Sequence, residues 1–292
     1  MEEMSTDTIF IRHKLSTTPA ILDTLWREDL IAIHYIDDDS TDPEHYRAKG
    51  ETTAANVLSR LHACLQTGAI VAASYRELKP AMLKVGRIDP VKSRLRARRF
   101  QDSNRGELTY KIVNLVGVKN IDLSRYPVLT GIQPRGGTLT GWQSATRILE
   151  SILSNEPLPM DLASLHYAQL EVLCQEHLRE TGQLRHLLTP IGRNMYEIDI
   201  CGIAHDGALL LAQVTHTDSQ GATADKARRL AAFAGPDRKL IYFGPASSQP
   251  QDAGLTFISI EDVFGRMMKK NRALIERMLK PDWANNRTEP IR

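Results

Sequence analysis

Residues 196–217 read YEIDICGIAHDGALLLAQVTHT. Two apolar runs flank Asp206-Gly207, and an Asp-Gly pair between such runs is a strong signal for a tight hairpin turn. Within those runs stand Glu197 and Asp199 before the turn and Gln213 and Thr215 after it. Side chains alternate across a strand, so Glu197 and Asp199 share one face, as do Gln213 and Thr215. Antiparallel pairing lets the two faces coincide and brings Asp199, Gln213 and Thr215 together. A carboxylate beside an amide oxygen is the hard oxygen set that Mg²⁺ or Mn²⁺ prefers. The plainer reading keeps Asp199 as an edge-strand carboxylate paired with Arg193 or Arg228, because alternating polar positions also mark a half-exposed antiparallel strand.

Around this hairpin, strands and helices alternate. LASLHYAQLEVLCQEHLRETG (162–182) is an amphipathic helix closed by Gly182, and HLLTPIG (186–192) a short strand. TADKARRLAAFAG (223–235) is a helix, KLIYFG (239–244) and LTFISI (255–260) are strands, and EDVFGRMMKKNRALIERML (261–279) a cationic amphipathic helix. That order predicts a mixed sheet flanked by helices. The last helix suits either a packed surface or contact with a DNA backbone or a second copy.

This arrangement resembles the PD-(D/E)XK restriction-endonuclease-like superfamily, in particular its Mrr-like branch, over about residues 160–270. The resemblance implies an initial helix carrying a glutamate, for which Glu171 stands first and Glu176 second. It implies a first-strand aspartate, Asp199, and a second strand reading Q-x-K, whose place Gln213-Val214-Thr215 takes. By the same resemblance Asp199 and Gln213 would hold Mg²⁺ or Mn²⁺, and the chain would hydrolyse DNA, such as foreign or modified DNA in prokaryotic defence, as a homodimer. The departure is Thr215, where the family has lysine. Threonine brings no positive charge to the transition state, and electrostatic stabilisation is usually the largest catalytic contribution. Lys226, on the helix that follows, is placed to supply it. Otherwise the domain is a nuclease scaffold that only binds nucleic acid. A third reading is a structural or assembly component whose basic segment binds an acidic protein.

Upstream, residues 8–145 are rich in short β segments around one clear helix, ETTAANVLSRLHACLQTG, whose Ala54, Val57, Leu58, Leu61 and Leu65 fall at helical spacing. ELTYKIVNLVGVKNI (107–121) and YPVLTG (126–131) read as strands, and GWQSATRILESILSN (141–155) as a helix running into the Pro-rich EPLPMD. The expected organisation is therefore an α+β, barrel-like domain over 1–155 and the α/β domain over 160–292. VKSRLRARRF (91–100), if extended, lines Lys92, Arg94, Arg96 and Arg98 on one face at intervals of about 6.5–7 Å, near the phosphate repeat of a nucleic acid. Its alternative is a solvated loop or a charged edge strand. Arg135 before Gly136-Gly137 adds a cation on a loop whose backbone can approach a ligand closely. From its organisation the first half resembles PUA- and EVE-like modified-base readers. That likeness would give Trp142, or Trp26, Tyr35 or Tyr75, to base stacking, although each also suits a core. The polynucleotide read could be DNA or RNA.

The chain has 292 residues and a net charge of +2, so any polyanion would be met by a local patch. Cys64, Cys174 and Cys201 form no CxxC pair, which implies a reducing compartment and core thiols. The polar, acidic MEEMSTDT start reads as no signal peptide, and no apolar run reaches the roughly 18 residues needed to cross a bilayer. A cytoplasmic location is expected. The histidines show neither HxH nor HExxH spacing, and Walker, GxGxxG and GxSxG patterns are missing from the sequence. These gaps argue against a metalloprotease, an NTPase, a dinucleotide enzyme and an α/β-hydrolase.

Overall fold

The computed structural model describes residues 7–13, 17–191, 197–217, 219–250 and 254–279. Contacts divide the chain into two compact units, the break falling between Leu158 and Pro159. It lies in an exposed stretch without regular structure that follows the left-handed Asn155. Among the described residues no helix is long and apolar enough to cross a membrane.

In chain order the first unit comprises β1 (Asp7–Arg12), α1 (Pro19–Arg27), β2 (Leu30–Ile33), α2 (Pro43–Ala48), α3 (Thr52–Thr67), β3 (Ala69–Ser74) and β4 (Met82–Ile88). There follow β5 (Leu95–Asp102), β6 (Gly106–Asn114), β7 (Val116–Asp122), α4 (Pro127–Ile132), β8 (Leu139–Gly141) and α5 (Thr146–Ser154). The strands make two open sheets, β7-β4-β3-β1-β8 and β2-β6-β5, in place of the expected barrel. Both faces of the larger sheet are covered, which is why β1 and β3 read as unbroken apolar runs. Ile9, Ile11, Val71 and Ala73 pack against α1, α3 and the smaller sheet. Phe10, Ile70 and Ala72 turn the other way, onto α4 and α5.

Two local expectations change here. YPVLTG is helical, because Pro127 occupies the first turn of α4, where its missing N–H costs nothing and its φ is already set. ELTYKIVNLVGVKNI is two strands: the chain leaves the smaller sheet at Leu115, whose N–H donates to the Asp29 carbonyl, and enters the larger sheet as β7. An apolar string carries no mark of such a change of sheet.

The second unit contains α6 (Tyr167–Glu180), β9 (His186–Leu187), β10 (Ile200–Ile203), β11 (Leu209–Val214), α7 (Gln220–Ala231), β12 (Arg238–Gly244), β13 (Thr256–Ser259), α8 (Ile260–Lys270) and α9 (Arg272–Leu279). They build a mixed sheet in the order β13-β12-β11-β10-β9, with β11, β12 and β13 parallel and β10 antiparallel to both its neighbours. Leu210, Ala212 and Val214 face the core shared with α6, α8 and α9. Leu211 faces Ala227 and Leu230 of α7. The Asp206-Gly207 hairpin forms as read, with Gly207 at φ 88°. The strand expected across 186–192 shrinks to two residues, and the terminal helix breaks at Asn271.

Candidate active site

The residues of the hairpin meet at the end of the sheet where β11 finishes. Ile200 pairs with Ala212, which places Asp199 opposite Gln213 one step further along the ladder. Here the ladder gives way. Regular strand begins only at Ile200, the chain bends at Asp199, and Ile198 and Ile200, which one regular strand would put on one face, fall in different apolar clusters. The Asp199 backbone still donates to the Ala212 carbonyl at 2.9 Å. Its carboxylate, meanwhile, accepts from the Val214 N–H at 2.8 Å and from Gln213 Nε2 at 2.5 Å, both at Oδ2.

The Gln213 amide also donates to the Val214 carbonyl at 3.0 Å. Both of these neighbours are acceptors, so the amide must present its NH₂ to them, which leaves Oε1 as its remaining acceptor. Gln213 and Thr215 are almost wholly buried, at 5% and 1% exposed. Lys226 reaches from α7 to Thr215, its Nζ donating to Oγ1 at 3.1 Å. Lys226 thus reaches the residue that stands where the resemblance puts lysine. Burial raises the Asp199 pKa above its ordinary value, against the Val214 N–H, the Lys226 charge and the Gln213 amide, which pull it down.

Asp199, Gln213 and Lys226 line a cavity of about 410 Å³ together with Glu171, Tyr167 and His216. Of the two helix glutamates, Glu171 is therefore the one at the site. Glu176 is bonded instead to Gln175 and lies 3.8 Å from Arg179. Burial pushes the Cys174 thiol well up, and the Asp199 and Glu171 charges add to that, so both carboxylates act on one turn of α6. Arg228 pairs with Asp225 rather than with Asp199. Arg193 lies outside the described residues. Glu197, Asp225 and Arg229 complete the polar lining.

A divalent cation can be tested against this donor set. Asp199 offers a carboxylate and Gln213 a free amide oxygen, and Mg²⁺ commonly takes one or two protein oxygens and keeps its waters. Among the described residues no three His, Cys, Asp or Glu side chains gather as a metal-holding group. The set accordingly fits a hydrated hard cation, and not a closed structural site of the zinc type.

The basic residues of the first unit fare differently. Lys92 sits in the turn before β5, so the continuous face expected over 92–98 is reduced to Arg96 and Arg98. Arg98 is tied to Glu28 by two hydrogen bonds and lies over the Phe100 ring, while Arg94 donates to the Ser93 carbonyl at 2.7 Å. Arg135 is exposed on its loop, which is held by Arg12 donating to the Pro134 and Arg135 carbonyls. Trp142 is a correction. It is 3% exposed, edge-on to Phe10, and its indole N–H donates to the Ile132 carbonyl at 3.0 Å. It is a core residue with no face to give a base, and Tyr75, fully buried, is another.

Tyr167 and His216 are the site residues that sequence reasoning missed. Their signals were the first position of a helix and the residue directly after Thr215, neither of which carries weight until the cavity is seen.

No family model matches this chain, and no curated protein does. Among solved structures it is similar to the crystal structure of a repair endonuclease from Pyrococcus abyssi, at 8% identity and a TM-score of 0.19, covering 83% of this chain and 96% of that one. At that score the likeness carries no argument, and the functional reading rests on the site's own geometry.

Proposed function

We propose that the second unit is a restriction-endonuclease-like domain that hydrolyses phosphodiester bonds of DNA with Mg²⁺ or Mn²⁺. One observation carries this reading: Asp199, Gln213 and a lysine from the next helix converge on the same strand end at the mouth of one cavity. Asp199 and Gln213 would hold the cation, with Glu171 assisting across the cavity. When bound, the cation supplies an activated water and offsets charge on the phosphate. Lys226, steadied by Thr215, provides the fixed positive charge that stabilises the pentavalent transition state. Foreign or modified DNA in defence, action as a homodimer and a cytoplasmic setting extend the same proposal.

The test is cleavage of methylated and unmethylated plasmid across a Mg²⁺ and Mn²⁺ titration, alongside calorimetry of metal binding. Asp199→Ala is expected to lose both the metal heat and cutting. Lys226→Ala should keep the metal heat while cutting falls by about 10²–10³-fold, the usual loss for one transition-state donor. Metal-independent behaviour of the wild type on every substrate would sink the nuclease and leave a nucleic-acid-binding scaffold. That second reading has an observation of its own: Oδ2 of Asp199 is already committed to two N–H donors, as a purely structural carboxylate would be.

A further inference from the structure

Tyr167 stands out among the side chains lining the cavity. Of the described large apolar residues that are strongly exposed, namely Val91, Met160, Tyr167 and Leu188, it is the aromatic one, at 40% exposure. It occupies the first position of α6, where a solvated polar residue would serve the helix as well. Two imidazole rings lie near it. His166 caps the helix, its Nδ1 accepting from the Ala168 N–H at 3.1 Å, and its ring lies 3.9 Å from that of Tyr167. The His216 ring runs nearly parallel to Tyr167, at 17° and 6.3 Å between centroids.

The His166 support has a cost, because its Nε2 is buried without a partner among the described residues. A buried unpaired N–H is uncommon enough to require a reason. Both imidazoles are kept toward their neutral forms: burial lowers the His166 pKa to about 4, and burial and then the Lys226 charge lower that of His216. The flat Tyr167 and His216 rings share the cavity with Lys226, with Arg229, which pairs with Asp225 at 2.7 Å, and with Glu171, Glu197 and Asp199. Flat ring faces beside the Lys226 ammonium match a nucleotide, which joins a flat base to an anionic phosphate.

We infer that Tyr167 and His216 form a base-stacking platform that seats an unpaired base next to the scissile phosphate, so that the substrate is single-stranded DNA. The inference rests on the hydrolytic reading of the same site. A base inside a duplex is already stacked on both faces and reaches the platform only after flipping out, which costs a few kcal/mol. A single strand has no such cost. Stacking tolerates any base, so the platform confers strand type and position, not sequence.

The experiment titrates full-length protein, without divalent cations, against single-stranded DNA carrying one 2-aminopurine and against the same strand in a duplex. Cutting of both is measured separately with Mg²⁺. The single strand should bind at least about tenfold more tightly than the duplex, with the 2-aminopurine emission changing on binding. Tyr167→Ala should weaken single-strand binding by about 5- to 150-fold, the loss typical of one stacked base, with His216→Ala weakening it in the same direction. Tyr167→Phe, which keeps the face, should bind as the wild type does. Single-strand binding unchanged in both alanine variants, or a duplex bound as tightly as the single strand, overturns the platform. If the wild type still cuts in that case, the hydrolytic reading survives alone. Conversely, binding that depends on Tyr167 with no cutting at any metal concentration supports the platform and overturns hydrolysis.

Discussion

His13 shows what one side chain can be held to. It follows β1 and is buried between the Ser74 carbonyl, 3.1 Å from Nδ1, and the Ala32 N–H, which donates to Nε2 at 3.2 Å. Those partners define a single neutral tautomer, with the proton on Nδ1. Burial drops its pKa from 6.5 to about 4, the Ser74 bond opposing. Between those values the unfolded chain binds a proton that the folded chain refuses, so stability is fully present above pH 6.5 and is lost as pH falls toward 4. The loss attributable to this histidine is on the order of 3 kcal/mol. Urea unfolding followed by tryptophan fluorescence at pH 7 and at pH 4.5 should show it, with His13→Asn giving a shallower pH dependence. An unchanged dependence in the variant would place the acid sensitivity elsewhere. The same logic separates Thr215 from Lys226 at the candidate site. The lysine was legible as a cation near the right place, but only the 3.1 Å bond to Thr215 ties it to the strand.

Among the elements, β10 leaves no room for a side chain at Gly202. Gly202 pairs with Leu187, and a Cβ there would come within 2.3 Å of Leu184 Cδ1 and 2.5 Å of the His186 carbonyl oxygen. The oxygen belongs to backbone and cannot swing aside. Gly202→Ala should therefore destabilise the unit by about 1–3 kcal/mol, as overpacking does, and loosen β9 from the sheet. Thermal unfolding measures the first effect. Faster amide exchange at His186 and Leu187 measures the second, and unchanged exchange there would mean that the strand pair gives way without parting. Helix periodicity was readable because α3 and α6 each bury one apolar stripe, and the hairpin because Asp206-Gly207 suits a turn needing φ above zero. The break at Asn271, the helix in place of YPVLTG and the change of sheet at Leu115 were not. At Leu115 local pattern competes with a distant partner, the Asp29 carbonyl, whereas at YPVLTG the Pro127 signal for a first helical turn competes with the apolar run.

For the molecule as a whole, the division into two units predicts how the chain comes apart. Residues 155–160 are exposed or half-buried and lack regular structure, with Asn155 in the left-handed conformation that ends α5. A protease of broad specificity should cut first between Asn155 and Asp161 and leave two resistant fragments, identified by mass. First cuts inside a sheet would contradict the two-unit division. The mixed α+β character, the hairpin with its carboxylate, amide and hydroxyl, and the candidate lysine were legible in the residues alone, because alternation, helical spacing and turn chemistry are local properties. Packing selects which of the candidates meet. It drew Lys226 to Thr215, chose Glu171 over Glu176, sent Trp142 and Tyr75 into the core, tied Arg98 to Glu28, and opened the expected barrel into two sheets. It also set Tyr167 against His216 across 49 positions of sequence. Such pairings turn on which surfaces exclude water together, and that is a property of the packed chain and of no single segment.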